Sequence, residues 1–321
     1  MTKYLATIEN PNSIITPILS AIRFPEVLAD CHAKYADDIA LFQKLIAGSE
    51  SSAHLLDQIR SSTIPGPTRM SLLKMFRRCV SPVLDTEMTK KISKVSTADL
   101  VSAYGATFKP IEKLQEQFAH LPPEHLATLA ALIGEYDTRG QSGYELTELF
   151  FDWFDEAFKG VLTIEGPRRA GRDVELSTVF TDFVGNYPCD FVIRTVEAKP
   201  VVLAVGFARY DATRGGAQSD DRTGGNLYKV AKATEYSAKS GNTFRVVFLA
   251  DGPGLVHKDT WEEACAIDGE WDGAVRVTTL KLAPERVTLD WLTGVRGAAP
   301  SAVGDALSLE QSFLGQLGIR E

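Results

Sequence analysis

The chain has 321 residues, enough for one large or two medium domains, and its 44% hydrophobic and 24% charged content is ordinary for a folded globular protein. No apolar run reaches the roughly 18 residues of a membrane span, and a net charge of −8 argues against a non-specific nucleic-acid coat. The four cysteines form no CxxC pair and the five histidines are scattered, so spacing points to neither a zinc site nor a disulfide framework.

The opening residues, MTKYLATIENPNS, lack the basic and apolar segments of a secretory leader, so a cytoplasmic protein is expected. Residues 1–24 read as an irregular lead-in. Helical spacing of Leu28, Cys31, Tyr35, Ile39, Leu45 and Ile46 predicts a helix within 25–60. Pro65, Gly66 and Pro67 then break the chain. Residues 68–104 are the most basic region, with Arg69, Lys74, Arg77, Arg78, Lys90, Lys91 and Lys94, and read either as a phosphate-contacting face or as a solvated helix surface. Residues 110–136 predict two helices split by Pro122 and Pro123. The polar connector DTRGQSG puts a boundary near 138, so residues 1–138 are expected to be an all-α domain and 139–296 a second domain, with 297–321 as a tail.

The second domain opens with SGYELTELFFDWFDEAFKG, where Ser142 and Glu145 have capping-box spacing and an aromatic stripe predicts a buried face. After a loop carrying Arg168, Arg169, Arg172, Asp173 and Glu175 come two apolar, β-branched runs, DFVIRT and VVLAVGFARY, flanking VEAKP. They predict a hairpin. The second run leads into DATRGGAQSDDRTGGN, which crowds both signs of charge among glycines. A helix beginning near Asn226, a buried strand FRVVFLAD ending at Asp251-Gly252, a short helix TWEEACAI, a strand AVRVTTLKL and a short helix LDWLTGV follow. This order predicts an α/β (α+β) fold with a mixed central sheet flanked by helices.

Carboxylates on one strand facing charges on its hairpin partner can hold a divalent metal against a phosphate. Together with the acidic helix, the YPCDFVI strand start and the FLADG strand, this resembles the PD-(D/E)xK nucleases over residues 140–295, and among them the type II restriction endonucleases. The resemblance implies a PD-(D/E)xK-like nuclease core, Mg²⁺, double-stranded DNA as partner and, for palindromic sites, a homodimer with one site per strand. Asp190 matches the first carboxylate. The rest of the motif has two candidates. Glu197 and Lys199 spell ExK, but only six residues separate Asp190 from Glu197, a very tight hairpin, and Pro200 cannot donate a ladder bond. Alternatively VEAKP is the turn and Asp190 pairs with Gly206 or Phe207. Pairing with Phe207 aims Arg209 and Asp211 to the face of Asp190. Arg209 then neutralises the attacked phosphate, and Asp190 and Asp211 hold the metal.

Glu145, or Glu175, is the candidate third carboxylate. Arg214 and Arg222 suit phosphates or guanine edges, and Gln218 and Asn226 adenine edges. Two other readings stay open: a DNA- or protein-binding module on a degenerate nuclease fold, and an unrelated α/β enzyme that binds a phosphorylated small molecule.

Overall fold

The computed structural model describes residues 3–19, 23–138, 141–169, 171–213 and 218–294, with the backbone alone described at 136–138 and 218–224. The chain divides into two compact units, one of residues 19–142 and one of residues 1–18 with 143–321. Among the described residues no helix is long and apolar enough to cross a membrane.

The unit of residues 19–142 is helical: α1 (Glu26–Ala47), α2 (Ser52–Ile59), α3 (Gly66–Cys79), α4 (Thr86–Thr89), α5 (Thr97–Tyr104), α6 (Ile111–Ala119) and α7 (Pro123–Thr138). Cys31, Tyr35, Ile39, Phe42 and Ile46 recur at three and four residues and are buried, so α1 presents one apolar stripe, against which α3, α6 and α7 pack. Ser51 and Ser96 cap α2 and α5 through their hydroxyls.

In the other unit, α8 (Gln141–Ala157) precedes β1 (Leu162–Glu165), β2 (Val174–Glu175), α9 (Leu176–Val179), β3 (Pro188–Cys189), β4 (Phe191–Thr195), β5 (Val202–Tyr210), α10 (Gln218–Ser240), β6 (Arg245–Asp251), α11 (Lys258–Ile267) and β7 (Val275–Thr278). Five strands form one mixed sheet in the order β1-β4-β5-β6-β7, and β2 and β3 form a separate two-stranded ladder. The β1/β4 and β4/β5 pairs are antiparallel, and the β5/β6 and β6/β7 pairs are parallel. The parallel pairs require crossovers, which α10 and α11 supply.

Strand alternation splits the core into two layers. Val192, Val205, Phe207, Val246 and Phe248 pack with Val230 and Ala233 of α10 and with Ala264 and Ile267 of α11. Phe191, Ile193, Ala204, Val247 and Leu249 pack with Leu146, Phe150, Phe151 and Phe154 of α8.

Several expectations are corrected. Residues 1–18 belong to the α/β unit, not to the helical domain. Leu5 and Ile14 are buried in its core, the Leu5 N–H donates to Asp268 Oδ2 at 3.2 Å, and the Thr16 N–H donates to Asp251 Oδ1 at 2.9 Å. Ser142 lies inside α8 and is not its cap. The glycine-rich stretch before Asn226 is already helical from Gln218, which leaves Asn226 in the interior of α10. Leu162–Glu165 adds an edge strand where none is expected. The tail 297–321 lies outside the described residues.

Candidate functional site

The β4/β5 register decides the site. Phe191 pairs with Gly206 and Val192 with Val205, and Asp190 lies one residue before this ladder. The Asp190 N–H donates to Gly206 O at 2.9 Å. Gly206 is needed here, because a Cβ at this position would sit 1.9 Å from the Phe191 ring. VEAKP is an exposed turn at the other end of the hairpin, so Glu197 and Lys199 stand away from Asp190. Of the two candidates for the second half of the motif, the structure therefore brings Arg209 and Asp211 toward Asp190.

These three residues line one pocket of about 270 Å³ with Asn226, Lys229 and Glu263. Its apolar wall comes from β5, β6 and α11, including Phe207, Phe248 and Ile267. The Asp190 Oδ2 accepts the Ala208 N–H at 2.8 Å. Burial pushes the Asp190 pKa up and nearby Asp173 adds to this, while the Ala208 N–H and Lys229 pull it down.

Lys229 has the converse environment. Burial lowers its pKa, whereas Asp190, Cys189 and Asp173 raise it. Its Nζ lies 3.7 Å from the Phe207 ring centroid, a cation–π contact worth roughly 0.5–2 kcal/mol. Sequence reasoning missed Lys229. The available signal was its helical spacing with Asn226 and the buried Ala233, which puts a lysine on the inward stripe of α10.

Asp211 is buried and pairs with Arg209, Nη2 to Oδ1, at 2.5 Å. Its backbone is pinned from both sides, donating to Asp251 O at 2.7 Å and accepting from the Gly254 N–H at 2.6 Å. Gly252 makes this approach possible: its φ is 98°, and a Cβ there would fall 2.6 Å from Asp211 O.

The remaining candidates fare differently. Asn226 reaches the pocket, where its Nδ2 donates to Glu263 Oε1 at 3.3 Å. Gln218 and Arg222 lie on α10 without described side chains, and Arg214 lies outside the described residues. Glu145 stands apart from the pocket. Its helix covers the opposite layer of the sheet, and it does not line the pocket. Its pKa is raised by burial and by Glu148, and its field reaches Tyr210. Glu175 accepts the Tyr187 N–H at 3.2 Å, a structural use.

Among the described residues no group of three or more His, Cys, Asp or Glu side chains converges as a metal site. Magnesium binds through one or two protein carboxylates, its other positions being filled by water and phosphate. Asp190 and Asp211 both line the pocket, and a cation beside Asp190 would relieve the burial penalty on its carboxylate. A scan against protein-family models finds no match to this chain, and a search of curated proteins finds none either.

Proposed function

We propose that this chain is a Mg²⁺-dependent endonuclease that hydrolyses phosphodiester bonds in double-stranded DNA at specific sequences, with a PD-(D/E)xK-like core and the character of a type II restriction enzyme. The observation that carries this reading is the meeting of Asp190, Arg209, Asp211 and Lys229 in one pocket beside a hairpin whose second strand, β5, also pairs in parallel with β6. Asp190 and Asp211 are the residues that would hold the metal. When bound, magnesium supplies a more acidic water and neutralises charge on the phosphate.

The chain's own groups do the rest. The Lys229 ammonium and the Arg209 guanidinium face the non-bridging phosphate oxygens, and the Lys229 Nζ, with its proton loosened by burial, is the group suited to exchange one there. Phe207 and Phe248 keep bulk water from the back of the pocket. Cutting both strands of a palindrome requires two such sites, which favours a homodimer.

The test is incubation of phage DNA with the protein and Mg²⁺. Discrete bands are expected, and Asp211→Asn should lose at least about a hundredfold in rate. Retention of full rate by that variant would refute the assignment.

Two observations favour a second reading, a DNA- or protein-binding module on this fold. Arg209 already pairs with Asp211, and no three-ligand metal group is present among the described residues. Tight duplex binding without cleavage in either Mg²⁺ or Mn²⁺ would select it.

A further inference from the structure

The basic stretch of the helical unit takes no part in the pocket. Lys90, Lys91 and Lys94 stand exposed on the connection between α4 and α5. That connection is closed by its own hydrogen bonds: the Lys91 N–H donates to Met88 O at 3.1 Å, Lys94 to Lys91 O at 3.0 Å and Val95 to Lys91 O at 3.1 Å. Beneath it lies Arg60, one of the few buried charges of this unit.

The Arg60 guanidinium donates to Thr89 O at 3.0 Å, to Thr97 Oγ1 at 2.8 Å and to Val95 O, one contact at each end of the loop and one at the helix that follows. Burying a guanidinium is costly unless its N–H groups are met. Here they are met by neutral oxygens, which hold the loop without cancelling the charge. Asp57 and Arg69 are the other charges that act on Arg60. Glu87 of α4 pairs with Lys90 at 2.5 Å, both side chains being solvent-exposed, which leaves Lys91 and Lys94 to set the outward field.

We propose that this Arg60-buttressed loop is a docking site for the phosphate backbone of duplex DNA. The identity of the partner rests on the nuclease reading above; the site itself rests on the loop. In a chain of net charge −8, a fixed cluster of ammonium groups is a local attractor for a polyanion. Lysines are point charges without the planar fork that reads base edges, so the loop contributes register and affinity and not sequence choice.

The experiment compares the full-length chain with a variant carrying Lys90→Gln, Lys91→Gln and Lys94→Gln. Anisotropy of a labelled duplex is measured without divalent metal between 50 and 200 mM salt. All three positions are exposed, so the melting temperature should not change. The slope of log Kd against log salt should become shallower by about two to three, at roughly 0.9 per phosphate contact. Arginine at all three positions should restore it.

An unchanged slope in the glutamine variant overturns the inference, and it leaves the nuclease reading standing if the wild type still yields discrete bands. A wild type that neither binds nor cuts duplex DNA overturns both. Loss of binding to vesicles of anionic lipid, with duplex binding intact, overturns the duplex as partner.

Discussion

Asp251 and Asp190 are both carboxylates at strand ends of the same sheet, and burial raises the pKa of both. Asp251 is fully buried and is met by three backbone N–H groups, from Thr16 at 2.9 Å, Gly252 at 2.7 Å and Leu280 at 2.9 Å. Close to it in kind is the buried Asp268, which accepts from Arg286 and from the Leu5 and Val277 N–H groups. These carboxylates tie the N-terminal strap, residues 1–18, to the C-terminal end of the sheet. Asp190, among the described residues, is met by the single N–H of Ala208, and the nearest cation rests on an aromatic ring. Full satisfaction marks a structural carboxylate. Partial satisfaction beside a cavity marks a carboxylate held ready for a ligand.

The sharpest way to break this comparison is to replace each acid by its amide. Asp251→Asn turns an amide N–H₂ toward groups that are themselves donors and is expected to cost about 2–4 kcal/mol, seen as a large fall in melting temperature. Asp190→Asn should abolish DNA cleavage, by about a thousandfold or more, without that fall. The sign follows from linkage. A carboxyl whose pKa is raised on folding contributes stability below its ordinary pKa and loses it as pH rises through the raised value. At neutral pH the ionised Asp190 is therefore a burden, and its amide should melt no lower than the wild type. A substantial drop at pH 7 would make Asp190 another structural acid.

The two carboxylates were not equally legible in the sequence. Asp190 stood out because Pro188 precedes it and a β-branched run follows, and placing the turn at VEAKP brought it to the second strand of the hairpin, where its N–H donates to Gly206 O. Asp251 read only as a turn residue, because Thr16 and Leu280, which explain its burial, are remote in the chain. The strap was missed for the same reason. Lys229 was missed because a lysine in a helix reads by default as solvated, and only the fold brings Phe207 beneath it. The start of α10 was misplaced because glycines 224 and 225 signal a loop, yet the helix runs through both.

Lys229→Met sharpens the contrast next. Keeping the stem and removing the charge should lower the cleavage rate about a hundredfold. Because burial depresses the lysine pKa, its charged form is disfavoured in the fold, and the stability tied to it is lost as pH falls through the lowered value. The methionine variant should thus melt at or above the wild type near neutrality. Lys229 also pulls the Asp190 pKa down, so residual activity in the variant should lose its acid limb at a higher pH than the wild type. An acid limb that does not move would separate the two groups.

The smallest effect is expected from Glu145→Gln, and its value lies in the face of the sheet it tests. The nuclease resemblance, which takes in the acidic helix before the hairpin, made Glu145 a candidate third carboxylate for the site. The fold packs α8 on the Phe191, Ile193 and Val247 layer, whereas the pocket opens on the Phe207 and Phe248 layer. Strand alternation separates those layers by the thickness of the sheet. The pKa of Glu145 is raised by burial and by Glu148, so the amide relieves a modest cost. Stability should stay within about 0.5 kcal/mol of the wild type, as for a substitution outside core and network, and the cleavage rate should change less than about threefold. Tyr210 feels the charge of Glu145, so the phenol titration should shift downward in the variant while cleavage does not. A hundredfold loss of cleavage with that titration unmoved would place Glu145 at the reacting phosphate and require the site to wrap around the end of the sheet.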